Sequence, residues 1–107
     1  MTLLKLDIDG PIPRGFFFRL MHCVKLWQCP IETVRYDRTR HGWHVIVAVD
    51  VELSNETIVA AQAILGSDPK REAFNLMRCR YLRLQSKFWR ARFNVLYKSH
   101  SHGVKIA

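Results

Sequence analysis

The chain lacks the features that mark several large classes of protein. No hydrophobic run is long enough to span a bilayer as a helix, and no charged head followed by an apolar run and a cleavage site opens the sequence. Its three cysteines form no Cys-x-x-Cys pair, which argues against a zinc knuckle and a disulfide framework. Glycine-rich phosphate loops and a Ser-His-Asp order are also absent. We therefore expect a cytoplasmic protein with no membrane partner.

Acidic residues are missing from the last third of the chain. Residues 73–107 hold eight of the 17 Lys and Arg residues and none of the 9 Asp and Glu residues, so the net charge of +8 arises there. Such one-sided charge attracts polyanions, and interleaved aromatic residues such as Tyr81 and Trp89 offer stacking surfaces. The pattern predicts nucleic-acid binding, either DNA or RNA. The cations expected to make the contacts are Arg38, Arg40, Arg80, Arg83, Lys87, Arg90, Arg92 and Lys98.

What is present fits one α+β domain over residues 1–107. The length suffices for one modest core, and 49% apolar residues is normal for a globular fold. Period-two alternation predicts strands, and apolar spacing of three and four predicts helices. The strands are expected at residues 3–9, 31–37, 43–51 and 90–98, and the helices at residues 14–28, from Ser54 or Asn55 to Leu65, and from Asp68 onward.

This order predicts a ferredoxin-like βαββαβ antiparallel sheet with its helices on one face. The short polar turn at residues 38–42 makes an antiparallel hairpin of the second and third strands. A small open sheet with another strand order is the alternative. A short strand at residues 104–106 would extend either plan.

Two helices carry apolar stripes that we expect to face the core. Cys23 and Cys79 lie on or near these stripes and are expected to be buried. Of the three rings at residues 16–18, one or two should pack inward, and the remainder would suit a contact between two copies of the chain. The first stripe comprises Phe17, Leu20, Met21, Val24 and Trp27, and the second Ala73, Phe74, Met77, Tyr81 and Leu84.

Alternation also predicts a candidate site on the sheet face without helices. If Leu4, Leu6 and Ile8 face the core, Asp7 and Asp9 face outward together, as does His44 when Val45 faces inward. A carboxylate pair at i and i+2 can hold Mg²⁺ or Mn²⁺, and an imidazole beside it can bind phosphate or move a proton. Asp7 and Asp9 are therefore the candidate metal ligands, and Asp7, Asp9 and His44 the candidate catalytic residues.

The segments 6–10 (LDIDG) and 38–45 (RTRHGWHV) resemble two motifs of the archaeo-eukaryotic primase superfamily. The resemblance implies metal binding by Asp7 and Asp9 and nucleotide contact by His44. The third acidic motif of that family has no match, because no acid follows Glu72. The chain is also about half the length that such a catalytic core needs, so the resemblance suits a minimal or degenerate relative.

Three functions follow as hypotheses. The first is a nucleic-acid-binding protein, such as a primase-like replication accessory factor of a virus or plasmid. The second is a metal-dependent nucleotidyl- or phosphoryl-transfer enzyme, and the third is a protein-interaction or dimerisation module. A rolling-circle type of nuclease with Tyr81 as nucleophile is a weaker alternative, because neither residues 100–102 (HSH) nor residues 41–44 (HGWH) form the His-hydrophobic-His pair within a strand that such an enzyme needs.

Overall fold

The computed structural model describes residues 1–80 and 93–96. These residues form an α+β domain of three antiparallel strands and three helices. The strands are β1 (Thr2–Asp9), β2 (Ile31–Arg38) and β3 (Gly42–Val49). The helices are α1 (Phe16–Trp27), α2 (Asn55–Ile64) and α3 (Pro69–Arg80).

The sheet has the order β1-β3-β2, so that β3 is its central strand. Both neighbours pair with β3 in antiparallel register, and β1 and β2 therefore run parallel to each other. The predicted hairpin of β2 and β3 is confirmed, with Arg38 opposite Trp43 at its closed end. On its other side, Trp43 is paired with Ile8 of β1, so that Arg38, Trp43 and Ile8 form one row across the sheet.

Local signals place the helix ends close to their predicted positions. Ser54 is the N-cap of α2, where its side chain accepts a hydrogen bond from the N–H of Thr57 at 3.2 Å. Gly66 follows the end of α2 with a φ of 99°, a conformation that favours glycine. Pro69 opens α3, where its missing N–H costs no helical hydrogen bond. None of the helices within the described residues is both long and apolar enough to cross a bilayer.

One face of the sheet forms the hydrophobic core. The alternating residues of β1 and β3 that were predicted to point inward are fully buried there, and α1 and α2 cover them. Trp43 packs at the edge of this cluster, as do Val34 and Tyr36 of β2. The strand residues of the core are Leu4, Leu6, Ile8, Val45, Val47 and Val49.

Helix α1 is rotated relative to the predicted stripe. Its buried residues are Phe16, Leu20 and Cys23, whereas Phe17 and Met21 are exposed. A spacing of three and four fits two overlapping stripes here, because both sides of this helix are apolar. Choosing between them depends on where the helix meets the sheet.

Helix α3 packs through polar side chains, and the apolar stripe predicted for it is wrong in its described part. Ala73, Phe74 and Met77 are exposed, while Glu72 and Asn75 are buried. The carboxylate of Glu72 accepts four hydrogen bonds. These hydrogen bonds, rather than the apolar residues, determine which side of α3 is buried. The donors are Gln62 Nε2 at 2.8 Å, Ser67 Oγ at 2.6 Å, Arg71 Nη1 at 2.6 Å and Asn75 Nδ2 at 3.1 Å. We call these five residues the Glu72 network.

The Glu72 network and the turn before α3 close the outer edge of β1. Lys5 N–H donates to Gln62 Oε1 at 2.8 Å, and the Lys5 carbonyl accepts from Arg71 Nη1 at 2.7 Å. Asp7 N–H donates to Ser67 Oγ at 3.0 Å, and the Asp7 carbonyl accepts from Asp68 N–H at 2.6 Å. Side chains and one turn therefore satisfy backbone groups that another strand would otherwise pair with.

The strand predicted for residues 90–98 is not formed where the structure describes this range. Phe93 and Asn94 form a turn, and Asn94 has a φ of 58°, outside the extended region. This conformation is stabilised because Asn94 N–H donates to Asn75 Oδ1 at 2.8 Å and Asn94 Oδ1 accepts from Arg71 Nη2 at 2.9 Å. The rest of that range, the predicted strand at 104–106 and the continuation of α3 lie outside the described residues.

Candidate functional site

The turn between β2 and β3, residues 39–41, and the first residue of β3, Gly42, lie against the end of β1. Thr39 N–H donates to the Gly42 carbonyl at 2.9 Å, and Gly42 N–H donates back to Thr39 Oγ1 at 3.0 Å. Gly10 N–H then donates to the His41 carbonyl at 2.6 Å. A Cβ atom on Gly42 would lie 1.9 Å from the Ile8 carbonyl oxygen, so only glycine allows this close approach.

The predicted acidic and histidine residues line one pocket of about 260 Å³ at this end of the sheet. Asp7 and Asp9 come from β1, His44 from β3, and Arg40 and His41 from the turn. His44 Nε2 lies 3.5 Å from Asp7 Oδ1. We call this the acidic pocket. Side chains distant in sequence thus share one cavity, because β1 and β3 are hydrogen-bonded neighbours.

The three predicted residues differ in their access to solvent. Asp9 is exposed, and the side chain of Asp7 is 41% exposed. The side chain of His44 is only 8% exposed, so the prediction that it points to open water is wrong. Alternation gives the face of a residue but not its distance from the edge of the sheet. His44 lies on the central strand, with a neighbouring strand on each side.

Asp37 is a second carboxylate in the row of the sheet that holds Asp7 and His44, although it does not line the acidic pocket, and the sequence analysis did not single it out. In the register of the sheet, His44 lies opposite Asp7 on β1 and opposite Asp37 on β2. The side chain of Asp37 is 5% exposed; its Oδ2 lies 3.2 Å from Arg35 Nε but receives no hydrogen bond. The hairpin register would have predicted this position, because counting back from the turn pairs residue 37 with residue 44.

A second pocket, of about 560 Å³, lies on the other side of the same turn. It is lined by exposed Arg38, Arg40 and His41, together with half-buried Trp43 and Ile12. The guanidinium carbon of Arg38 lies 5.4 Å from the centroid of the Trp43 ring, within range of a cation–π interaction. We call this the basic pocket. Residues 39–42 form a wall common to both pockets.

The remaining predicted nucleic-acid contacts fall where the structure gives no side-chain description. Arg80 ends α3, and nothing further is described for its side chain. The other five lie outside the described residues, so their contribution stays a prediction: Arg83, Lys87, Arg90, Arg92 and Lys98.

The acidic pocket offers limited ligation to a metal ion. Among residues 1–80 and 93–96, no group of three His, Cys, Asp or Glu side chains is arranged to hold one. Asp7 and Asp9 supply two carboxylates, and Mg²⁺ is commonly held by one or two carboxylates together with water and substrate phosphates. The donor set therefore suits a cation that binds jointly with a phosphorylated ligand.

No protein family, curated protein or solved structure matches the chain.

Proposed function

We propose that the chain is a nucleic-acid-binding protein whose described contact surface is the basic pocket. The observation that carries the proposal is the convergence of Arg38, Arg40 and His41 around one open cavity beside Trp43. Guanidinium groups bind phosphate oxygens with two parallel hydrogen bonds, and an indole ring offers a surface to a base.

The charge distribution of the whole chain supports the same proposal. The surplus of positive charge comes from residues 73–107, which contain no acid. Arg71 and Asn75 bind Asn94, so α3 anchors one point of this basic segment beside β1. The positive charge of this segment would add to the attraction between the protein and a nucleic acid.

Binding of labelled oligonucleotides at several salt concentrations tests the proposal. Because phosphate neutralisation releases counterions, the affinity should fall steeply between about 50 mM and 200 mM salt. Fluorescence anisotropy with single-stranded and duplex probes measures this directly. Absence of binding at low salt, or an affinity that does not change with salt, contradicts the proposal.

A second candidate function is metal-dependent phosphoryl or nucleotidyl transfer in the acidic pocket. It is favoured by Asp7, Asp9 and His44 lining one cavity with Arg40 and His41. Asp7 and Asp9 would hold Mg²⁺ or Mn²⁺, the cationic turn would bind phosphate, and His44 would contact the same group. A primase-like accessory role in a virus or plasmid is the prediction that joins the two candidates.

Replacing both acids with asparagine separates the two candidates. Asp7→Asn with Asp9→Asn should abolish any Mn²⁺-dependent incorporation or hydrolysis of nucleotides and leave the folded state intact by circular dichroism. Asp50→Asn is the matched control, because Asp50 is exposed immediately after β3 and lines neither described pocket. A wild-type protein that is inert toward nucleotides with both metals rules out the enzyme.

The ferredoxin-like plan remains a prediction alongside these functions. The order β1-β3-β2 agrees with three of its four strands. Against the fourth, Gln62, Ser67 and Arg71 occupy the edge of β1 where that strand would pair.

A further inference from the structure

The outer face of α1 is apolar although it does not belong to the core. Phe18 is 78% exposed and Phe17 63% exposed, and Met21 and Leu26 are also exposed. The opposite side of the helix, with Phe16, Leu20 and Cys23, is buried. A different side of α1 therefore packs against the core, and the exposed rings are not needed there.

Six of the seven exposed residues of α1, all but Arg19, form two adjacent rows along the helix. Residues four apart lie one above the other on a helix surface. One row comprises Phe17, Met21 and Lys25, and the other Phe18, His22 and Leu26. Both rows begin with a phenylalanine, so the two most exposed rings are neighbours at the N-terminal end of the helix.

The charged side chains of α1 and of its flanking segments are all Arg and Lys. Residues 10–31 contain no Asp or Glu, whereas Arg14, Arg19 and Lys25 are exposed there. A second copy of this chain would bring like charges together on the same face. Charge complementarity instead favours a polyanion that also has flat apolar surfaces.

The ring of Phe17 is held in place from the core. Its centroid lies 5.5 Å from that of buried Phe16 at an interplanar angle of 87°, an edge-to-face contact. Phe16 in turn lies 6.4 Å from the ring of Tyr36 on β2. Contacts from the core thus limit the freedom of this exposed ring, which reduces the entropy lost when it binds a flat ligand.

We propose that the outer face of α1 binds single-stranded nucleic acid, with bases stacking on Phe17 and Phe18 and phosphates near Arg14, Arg19 and Lys25. Unpaired bases expose their faces to a protein ring, whereas a duplex hides them between neighbouring base pairs. Stacking of a base on an aromatic side chain is tolerant of sequence and contributes about 1–3 kcal/mol. The inference rests on the proposed nucleic-acid function and adds its strand preference and a second contact surface.

The test compares oligo(dT), oligo(U) and a duplex as probes for the wild type and for Phe17→Ala with Phe18→Ala. We expect the double variant to lose at least about fivefold in affinity for the single strands and to keep its duplex affinity. Phe18→Trp should retain single-strand binding, because it keeps a ring. Met21→Ala with Leu26→Ala is the matched control that removes exposed apolar surface without removing a ring, and its single-strand affinity should change less than that of the double phenylalanine variant. The DNA and RNA probes report whether the sugar matters.

The outcomes separate this inference from the proposed function. A wild type that binds none of the probes defeats both. Salt-dependent binding that is equal in the wild type and in a folded Phe17 and Phe18 double variant overturns the stacking surface and leaves the proposed function standing. Sedimentation showing a wild-type dimer that the double variant dissociates also overturns it, because the face would then be covered by a second copy.

Discussion

Two polar regions of the molecule, one at the outer edge of β1 and one at the turn between β2 and β3, differ in how far their charges are exposed. In the Glu72 network, the buried carboxylate accepts four hydrogen bonds from side chains around it. At the acidic and basic pockets, Arg38, Arg40 and Asp9 are exposed around open cavities. The charges of the first region are largely buried, and those of the second are exposed to solvent.

The difference separates polar residues that stabilise the fold from those available for function. A buried polar group is tolerated when all of its hydrogen bonds are made. Removing one of its partners leaves a buried group unpaired, which destabilises the fold. Exposed charges contribute little to stability. Substitutions in the Glu72 network should therefore reduce stability, whereas substitutions in the pockets should reduce binding.

Breaking the Glu72 network is expected to have the largest effect on stability. Glu72→Gln keeps the size of the side chain but replaces one accepting oxygen with an NH₂ group that faces two donors. It also removes the counter-charge of Arg71, which lies 2.6 Å away and is largely buried. We expect a loss of about 3–5 kcal/mol in the free energy of unfolding, measured by urea denaturation.

Asp37→Asn is the matched control for that substitution, since it makes the same chemical change at another buried carboxylate. Asp37 Oδ2 receives no hydrogen bond, and its ion-pair partner Arg35 is exposed. The loss in the free energy of unfolding should be smaller than that of Glu72→Gln, because the charge left without its partner, on Arg35, keeps access to water. Equal losses for the two variants would show that the number of partners does not distinguish these carboxylates.

Gly42→Ala tests the close packing of β1 against the start of β3 at the pocket end of the sheet. The added Cβ would lie 1.9 Å from the Ile8 carbonyl oxygen and 2.7 Å from Gly10 N, and both are backbone atoms at the end of β1. We expect a loss of about 3 kcal/mol and disruption of both pockets, seen in thermal melts and in oligonucleotide binding.

Gly15→Ala provides the control for Gly42→Ala. Gly15 has a positive φ of 76°, but a Cβ there would meet nothing within 4 Å. The cost should be limited to about 1–2 kcal/mol of backbone strain. A loss at Gly42 no greater than the loss at Gly15 would contradict the close packing of β1 against the turn.

The smallest expected effect is a decline in stability at alkaline pH. Burial raises the pKa of the Cys23 and Cys29 thiols above their ordinary value of 9.0, and burial raises the pKa of Tyr36 above 10.0. The folded state therefore binds these protons more tightly than the unfolded state. Their contribution is complete below about pH 9 and is lost as the pH rises through the folded-state values.

Urea denaturation between neutral pH and the alkaline range measures this decline. In Cys23→Ala with Cys29→Ala, the free energy of unfolding should fall less steeply with pH than in the wild type. The difference should begin near the ordinary pKa of a thiol. The double variant is expected to be less stable overall, so the slope rather than the absolute free energy carries the result. An identical slope in the two proteins would show that the thiols do not contribute.

The core face of the sheet and the convergence of the candidate site were predictable from sequence. Alternation in Leu4, Leu6 and Ile8 determines which side of β1 faces the helices, and it consequently places Asp7 and Asp9 together on the other side. The hairpin turn fixes the register of β2 and β3. These are local patterns whose meaning does not depend on distant residues.

The rotation of α1 and the polar packing of α3 were not predictable by the same means. Helix α1 has apolar residues on both sides, so periodicity alone does not choose between Phe16 and Phe17 for the core. Helix α3 docks through Glu72 because Gln62 and Ser67 are brought beside it by the tertiary fold. The burial of His44 likewise depends on the strand order, which places β3 in the centre of the sheet.

The most direct test of the central claim is the salt dependence of oligonucleotide binding by Arg38→Ala with Arg40→Ala. Both side chains are exposed, so stability should change by only about 0.5 kcal/mol for each substitution. If these arginines neutralise phosphates, the affinity falls at every salt concentration, and the slope of log affinity against log salt decreases by about two. A folded variant with the affinity and slope of the wild type would contradict the assignment of the basic pocket as a nucleic-acid contact surface.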